Sequence, residues 1–174
     1  FESALSDLIV RCASAGVKQV SVYDPWSYVQ SNEAVLKKLL IKAAKVKNGR
    51  FKKKFFINEP LNNIKFHSGV IAIYLLGKLS GKQALVKACQ EICTEYSTNA
   101  IDTDLITQHL AEQSFTEPDL ILKIGSLNSM GGYMPWTIRV SEILLVPHLS
   151  NHVSFSKFAS FMDAYFDRDR RMGR

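Results

Sequence analysis

The amino-acid sequence predicts an α/β domain, with a mainly parallel central sheet flanked by helices. Segments with the two-residue alternation of strands take turns with segments whose apolar residues recur every three or four positions, as on one face of a helix. Residues 70–76 form a near-continuous apolar run, which is expected of a strand covered on both faces. The 174 residues, 47% hydrophobic and 22% charged, suffice for a single domain over 1–174 with a sizeable core.

The first half of the chain is predicted to begin with a helix that Gly16 ends, followed by a short strand at 20–22. A second helix is expected to start with Ser31 as its cap and to end at 48–49, an Asn-Gly pair. The alternation at 64–66 indicates a further strand before the apolar run. The residues expected on the buried faces of the two helices are Leu5, Leu8, Ile9, Cys12, Ala13, Val35, Leu36, Leu39, Leu40 and Ala43.

The second half is predicted to continue the alternation. Ser80, with a glutamine three residues later, has the spacing of a capping box, and Asp102 and Ser154 are also expected to begin helices. Residues 120–124 and 143–146 are predicted strands. The inner faces of the three helices are expected to carry Leu85, Val86, Cys89, Ile92, Cys93, Leu105, Ile106, His109, Leu110, Phe155, Phe158, Met162, Tyr165 and Phe166.

The positive charge, a net +6 at pH 7, is concentrated in one segment. Such a run is usually a solvated loop or helix end, and the sharper interpretation is an electrostatic contact with an anionic membrane surface. Nucleic acid is not expected as a partner, because no base-stacking aromatics are interleaved in a known motif. The segment has no acid among its basic residues, which are Lys42, Lys45, Lys47, Arg50, Lys52, Lys53 and Lys54.

The cysteines and histidines show no metal-ligand spacing, so no metal site is predicted. Cys89 and Cys93 lie four residues apart and, like Cys12, are expected to pack in the core as small apolar side chains. An odd number of cysteines without a C-x-x-C pair suggests a reducing compartment. No run of the sequence approaches the roughly 20 apolar residues that cross a bilayer.

Three stretches of the last third carry a family resemblance: Asp-Leu-Ile-Leu-Lys at 119–123, Pro-Trp-Thr-Ile-Arg-Val-Ser-Glu at 135–142, and the terminal Arg-Met-Gly-Arg at 171–174. In this order and spacing they resemble the C-terminal half of a cis-prenyltransferase, an enzyme that extends an allylic diphosphate with isopentenyl diphosphate. The resemblance extends to 16–24 and 71–88 and is weakest from Lys42 to Asn63. It implies a cis-prenyltransferase-like fold.

The groups that hold a diphosphate in active members of that family are mostly missing. Active members carry a run like D-L-x-I-R-T-S-G-E-x-R-x-S-N-F-x-x-W, and binding a diphosphate needs several converging cations and donors. Laid over residues 119–136, the run keeps one cation, Lys123, which in isolation is more often solvated than bound to phosphate. The pattern is similar to the Nogo-B receptor type of accessory subunit, the non-catalytic half of dehydrodolichyl diphosphate synthase. The Thr, Glu, second Arg and second Ser positions hold Ile124, Leu127, Ser129 and Gly131.

Arg171-Met172-Gly173 resembles the R-x-G ending of those accessory subunits. In the family this tail crosses the dimer interface and completes the partner's isopentenyl diphosphate site. The resemblance therefore implies that Arg171 and Gly173 serve catalysis in trans and that all three residues bind substrate. A guanidinium and the backbone N–H groups of a glycine-containing turn can cradle a diphosphate, and residues 167–170 would form a charged stem. A frayed basic end is the ordinary alternative.

The resemblance also places Trp136, Arg139 and Glu142 in the segment that forms the dimer contact. An aromatic and an arginine are residue types that interface centres favour. The alternative is a core Trp136 and a local Arg139–Glu142 ion pair. Glu142 aligns with a carboxylate that helps to hold magnesium in active homologues, but one carboxylate is a poor magnesium site, so no metal ligand is predicted in this chain.

As a function, the resemblance implies a subunit without catalysis of its own that stabilises and completes a catalytic cis-prenyltransferase, for dolichol synthesis and protein glycosylation. Its partner would be that catalytic subunit, in a heterodimer or larger assembly, with a homodimer open for the isolated chain. Magnesium is expected in the complex and no cofactor in this chain alone. A first strand and a membrane-anchoring segment are expected before Phe1, with the domain on the cytoplasmic side of the endoplasmic reticulum membrane. A self-sufficient homodimeric enzyme with an unusual site and a binding or receptor module on the same fold remain alternatives.

Overall fold

The structure, a computed structural model, describes residues 1–46, 53–112 and 116–168. Helices and strands alternate along these ranges as the sequence predicts. The helices are α1 (Glu2–Ser14), α2 (Tyr28–Ser31), α3 (Glu33–Val46), α4 (Lys82–Glu95), α5 (Thr103–Glu112) and α6 (Phe155–Phe166). The strands are β1 (Gln19–Tyr23), β2 (Lys54–Ile57), β3 (Val70–Leu76), β4 (Leu120–Ile124) and β5 (Glu142–Val146).

Every strand pair in the described ranges is parallel, which confirms the predicted α/β architecture. The strands form two sheets, with the orders β1-β3-β2 and β4-β5. β3 is the centre of the larger sheet, and all seven of its residues are buried, as its apolar run predicts. The carboxyl ends of β1, β2 and β3 therefore lie at one edge of the larger sheet.

Helix α1 joins the two sheets, because its two apolar stripes pack in different directions. Leu5 and Ile9 belong to the core over β1 and β3, while Ala4 and Leu8 pack with β4, β5 and α6. Apolar residues four positions apart share a helix face, so neighbouring stripes can serve neighbouring cores. The helix ends as predicted at Gly16, which takes φ +85°.

Two helix starts predicted from capping residues are correct. The Asp102 carboxylate accepts a hydrogen bond from the backbone N–H of Leu105 (2.8 Å), and the Ser154 hydroxyl accepts one from Lys157 (3.1 Å). The predicted cap at Ser31 is wrong, because Ser31 ends the one-turn helix α2 and α3 begins at Glu33. The Asn48-Gly49 pair lies outside the described residues.

The strand predicted at Ile64 and Phe66 is also wrong. These side chains pack against β3 from an irregular segment, and the strand that pairs there is β2. β3 has β1 on one side and β2 on the other, so neither of its edges is open to a further strand. Alternating apolar residues report burial, and burial does not require a place in the ladder.

Helix α4 has no capping box at Ser80. The Ser80 hydroxyl accepts a hydrogen bond from the backbone N–H of Gly77 (3.2 Å), which closes a 3-10 turn before the helix. The buried residues of α4 are Ala84, Ala88 and Ile92, so its inner face is rotated from the prediction and two expected core side chains are exposed. Residues expected inside but found exposed are Val35, Val86, Cys93, Phe155 and Phe166.

The three cysteines have different surroundings. Burial raises the pKa of the Cys12 thiol to about 12, in agreement with its expected place in the core. Cys89 is half-buried and Cys93 is exposed, which corrects the prediction of core packing for Cys93. None of the helices that the structure describes has the length and the apolar content needed to cross a membrane.

Candidate functional site

Three loops lie together at the edge where β1 and β3 end. β1 and β3 are parallel neighbours, so the loops that follow them leave the sheet at the same edge. Open parallel sheets bind ligands at such edges, because loops and helix N-termini converge there. The loop that follows β4 also reaches this edge. The β1 loop, the β3 loop and the β4 loop comprise residues 24–27, 77–81 and 125–134, respectively.

Hydrogen bonds hold the three loops to one another and to the elements beside them. The bonds connect the β4 loop to the end of β1 and to the start of α4, and the β1 loop to the β3 loop. They run from the Tyr23 hydroxyl to the Gly131 carbonyl (2.9 Å), from the Lys82 N–H to the Gly132 carbonyl (3.1 Å), and from the Lys78 N–H to the Ser27 hydroxyl (3.0 Å).

The contact between Gly81 and Gly132 is close enough to require glycine. A Cβ atom on Gly81 would lie 2.1 Å from the carbonyl oxygen of Gly132, and Gly132 itself takes φ +84°. Lys82 is the first residue of α4, so its N–H is one of the donors that a helix N-terminus offers to an anion. The Gly132 carbonyl occupies that donor, and the chain itself fills a position suited to phosphate.

Some positions of this chain align with diphosphate ligands of active family members. Their side chains either form hydrogen bonds with the backbone of the β4 loop or have no polar group. The Lys123 ammonium donates to the carbonyl oxygen of Leu127. The Ser129 hydroxyl accepts from the N–H of Gly131 (3.1 Å). Ile124 and the Leu127 side chain are exposed and apolar. The Lys123 ammonium at the end of β4 and the Ser129 hydroxyl are thus both directed to the backbone of the β4 loop.

Two features of this edge were not predicted from the sequence. Tyr23 and Tyr133 pack edge to face with ring centroids 5.3 Å apart, and burial raises the pKa of both phenols, with the Asp24 charge adding to the effect on Tyr23. The Asp24 carboxylate accepts from the N–H groups of Trp26 (3.0 Å) and Val29 (3.1 Å). The Asp-Pro pair was the available signal for this turn.

The structure does not bring Trp136, Arg139 and Glu142 into one cluster. Trp136 packs against α4 and α5, and its indole N–H donates to the Thr107 hydroxyl (3.1 Å). Arg139, with 79% of its side chain exposed, pairs with Glu117 at 3.5 Å. Their place in a dimer interface stays a prediction, with Arg139 in an accessible position and Trp136 partly buried in its own subunit.

Glu142 pairs with Arg168 at 2.7 Å and Arg139 pairs with Glu117, so the local Arg139–Glu142 pair, which was the alternative to a place in the dimer contact, does not form. This ion pair ties the end of α6 to the first residue of β5. The tail residues predicted to act in trans, Arg171, Met172 and Gly173, lie outside the described residues, as do Asp169 and Arg170. The charged stem predicted at 167–170 is thus seen only at its beginning.

The described ranges hold no group of three or more His, Cys, Asp or Glu side chains that could bind a metal ion. Two histidines instead link structural elements. His109 of α5 contacts Glu91 of α4 at 3.0 Å, and His152 contacts Asp7 of α1 at 3.2 Å. Glu142 is held by Arg168, so its surroundings do not fit a magnesium ligand in this chain.

Comparison with known proteins identifies a family. The model of the family described as putative undecaprenyl diphosphate synthase matches residues 56–173. The dehydrodolichyl diphosphate synthase complex subunit Nus1 of Mus musculus is 28% identical over 180 residues, which cover 99% of this chain and 60% of that protein. The subunit NUS1 of Homo sapiens is 27% identical over 180 residues, covering 99% and 61%. The chain thus spans about 60% of the length of these curated relatives.

A solved structure extends the likeness to the fold. Lavandulyl diphosphate synthase from Lavandula x intermedia, in complex with dimethylallyl diphosphate, matches with a TM-score of 0.69 at 14% identity, over 99% of this chain and 86% of that chain. The predicted cis-prenyltransferase-like architecture is therefore confirmed.

Proposed function

The chain belongs to the undecaprenyl diphosphate synthase family, the cis-prenyltransferases, and on that basis we propose that it is a non-catalytic accessory subunit of a dehydrodolichyl diphosphate synthase complex. The observation that carries the proposal is the packing at the edge of the sheet, where the Gly132 carbonyl takes the first N–H of α4. The names of the mouse and human relatives, both subunits of such a complex, support it.

The physical reason is electrostatic. A prenyl transfer releases diphosphate, and an enzyme lowers the barrier by aiming fixed donors and cations at the charge that develops. In this chain the Lys123 ammonium and the Ser129 hydroxyl are directed to the backbone of the β4 loop. Releasing them for a substrate would cost the hydrogen bonds that shape the loop.

We propose that Arg171, Met172 and Gly173 complete the isopentenyl diphosphate site of a catalytic partner. The placement of the preceding residues supports a role in trans. Arg168 is fixed to Glu142, at the amino end of β5, whereas the β4 loop follows the carboxyl end of β4, the parallel neighbour of β5. Arg168, which precedes the tail, therefore lies at the opposite end of this strand pair from the β4 loop of the same chain, and this supports a site on another subunit.

The surface proposed for the catalytic partner lies around Arg139 and β5. Leu145 on β5 is 65% exposed and Val140 is also exposed, so apolar area remains available beside the arginine. Trp136, which the family resemblance places in the same contact, would support this surface from its position against α4 and α5. The assembly would act in dolichol synthesis for protein glycosylation at the endoplasmic reticulum membrane, with magnesium bound at the partner's site.

Reconstitution with a catalytic cis-prenyltransferase subunit tests the function. The purified chain, the catalytic subunit and their mixture are each incubated with farnesyl diphosphate, labelled isopentenyl diphosphate and magnesium. We expect no polyprenyl product from this chain alone and more product from the mixture than from the catalytic subunit alone. Long-chain product from this chain without a partner would establish the self-sufficient alternative instead, and a mixture that neither associates nor gains activity would exclude the accessory role.

A further inference from the structure

The three loops at the carboxyl edge of the larger sheet expose large apolar side chains. Trp26 in the β1 loop is 77% exposed, Leu79 in the β3 loop 75% and Leu127 in the β4 loop 68%. Surfaces of soluble domains carry single exposed apolar residues routinely, but three large ones on adjoining loops indicate a contact surface. We propose that this surface, defined by Trp26, Leu79 and Leu127 and here named the loop face, inserts into the interfacial region of an anionic lipid bilayer.

The three side chains lie at one edge of the sheet, because the loops that carry them contact one another. The Ser27 hydroxyl, next to Trp26, accepts from the N–H of Lys78, next to Leu79. In the β4 loop, a Cβ atom on Gly131 would lie 3.4 Å from the Pro25 ring, so this loop approaches the β1 loop as well. The loops are thus fixed before any contact is made, and binding would cost little conformational entropy.

The backbone of the loop face suits a medium that offers few hydrogen bonds. An unpaired N–H or carbonyl group is costly in lipid, so a loop that enters the interfacial region should satisfy its own backbone. The Asp24 carboxylate takes the N–H groups of Trp26 and Val29, and the Ser80 hydroxyl takes that of Gly77. Side chains of the β1 and β3 loops thus already bind three N–H groups that would otherwise lose their water.

The charges beside these apolar side chains favour an anionic surface. Lys78 and Lys82 are exposed on either side of Leu79, and the β4 loop contains no charged residue. Asp24 is the acid of the three loops, and both of its carboxylate oxygens face backbone N–H groups. Two lysines beside a tryptophan and a leucine on separate loop tips are the chemistry of a membrane interface, where aromatic rings and lysines lie at the level of the headgroups.

The basic run of the sequence would place a membrane contact elsewhere. Lys53 and Lys54 precede and begin β2, whereas the loop face lies at the carboxyl end of the same sheet. The two candidate surfaces therefore lie at opposite edges, and lipid binding through one can be separated by mutation from binding through the other. A protein partner on the loop face is the remaining occupant.

Vesicle flotation with the complete chain tests the loop face, using phosphatidylcholine vesicles with and without phosphatidylserine. We expect binding to the anionic vesicles, with the apparent partition coefficient reduced on the order of 10-fold by Trp26→Ala and by Leu79→Ser. Lys78→Gln should reduce it about 5-fold, an effect expected to fade at high salt. Phe155→Ser removes an equally exposed aromatic from the start of α6 and should leave binding unchanged.

Fluorescence gives a second readout, because the chain has two tryptophans, Trp26 and Trp136. Brominated lipids should quench part of the emission of the parent chain. Trp26→Phe should bind vesicles and lose that quenching, since Trp136 lies against α4 and α5.

Three outcomes would overturn the proposal: no binding to either vesicle, binding that Trp26→Ala and Leu79→Ser leave intact, or binding that only a Lys53→Gln/Lys54→Gln variant abolishes. Impaired association with the catalytic subunit in the Trp26→Ala variant, without lipid binding by the parent chain, would identify the loop face as a protein contact. Circular dichroism of every variant confirms that the fold is intact. The vesicle experiments do not use the catalytic subunit, so their result is independent of the proposed accessory role.

Discussion

Replacing Gly81 by alanine tests the close contact between the β3 loop and the β4 loop directly. The new Cβ would lie 2.1 Å from the Gly132 carbonyl oxygen, a backbone atom, so the two loops must move apart. Forcing atoms into a packed contact costs about 1–3 kcal/mol, and losing the hydrogen bond from the Lys82 N–H to Gly132 adds about 1 kcal/mol. The reduced entropy of the unfolded chain returns roughly 0.4–1 kcal/mol. We expect a net loss of about 2–3 kcal/mol in the free energy of unfolding.

The assay is urea unfolding followed by circular dichroism, in which such a loss lowers the midpoint by about 1 M. Gly16→Ala is the matched control, because Gly16 has nothing within 4 Å of a new Cβ and only its φ of +85° opposes the substitution. That control should cost about 1 kcal/mol. The Lys82 amide should exchange its hydrogen faster in Gly81→Ala than in the control. A Gly81→Ala variant within about 0.5 kcal/mol of the parent chain, with unchanged exchange at Lys82, would refute the account of this close contact.

Three further predictions concern the tail, the thiols and the pH dependence. Arg171→Ala or Gly173→Ala should lower the turnover of the reconstituted complex on the order of 10²-fold, while the complex still assembles on a size-exclusion column. Full activity after deletion of 171–174 would contradict the role in trans. At pH 8 an alkylating reagent should label the exposed Cys93 first. Cys12 should be labelled last, because its pKa is raised to about 12. Mass spectrometry measures the order, and equal rates of labelling at Cys93 and Cys12 would contradict it. Hydrogen bonds from His109 and Lys87 hold the pKa of Glu91 below its usual 4.5. The contribution of Glu91 to stability is therefore present above pH 4.5 and is lost as pH falls through the lowered pKa. In acid unfolding, the Glu91→Gln variant should lose less stability over this pH range than the parent chain.

The sequence predicted the elements whose pattern has one physical cause. β3 is apolar throughout because both of its faces are covered, and no other element gives seven apolar residues in a row. Asp102 and Ser154 were identified correctly because a cap depends on local hydrogen bonds, which the residue type largely determines. Ser80 has the same residue type but bonds to Gly77, because the 3-10 turn before α4 offers its hydroxyl an earlier N–H.

The errors arose where packing decided between equivalent local patterns. Ala84 and Ala88 face the core of α4 in place of larger neighbours, since small side chains allow the helix to approach Met134 and Leu110 closely. Ile64 and Phe66 are buried without a strand, because β2 already occupies the edge of β3. Both outcomes depend on residues distant in the sequence, which a local window does not contain.

The replacement of the diphosphate-binding residues at the candidate site could be predicted from the sequence, but the contacts between the loops could not. The substitutions at Ile124, Leu127 and Gly131 could be read from the sequence and a family resemblance. The contact between Gly81 and Gly132 could not, because glycines in two loops carry no signal that they meet across some fifty residues. Likewise, a local Arg139–Glu142 pair was the alternative to a place in the dimer contact, yet each of the two pairs with a residue from another part of the chain.

The arrangement of the core explains how the fold can be kept when the loops at the edge of the sheet differ from those of active family members. The largest apolar clusters surround α1 and β3, and most of their side chains belong to strands and helices. A diphosphate site, by contrast, would be built from polar residues in loops. Glycine and apolar residues at those loop positions leave the apolar clusters intact. The Lys123 ammonium and the Ser129 hydroxyl bond to the backbone of the β4 loop. The surfaces through which we propose that the chain acts are β5 with Arg139 and the loop face, together with the tail residues 171–173. Leu145 on β5 and the three side chains of the loop face are exposed, as contact with a partner subunit or a membrane requires.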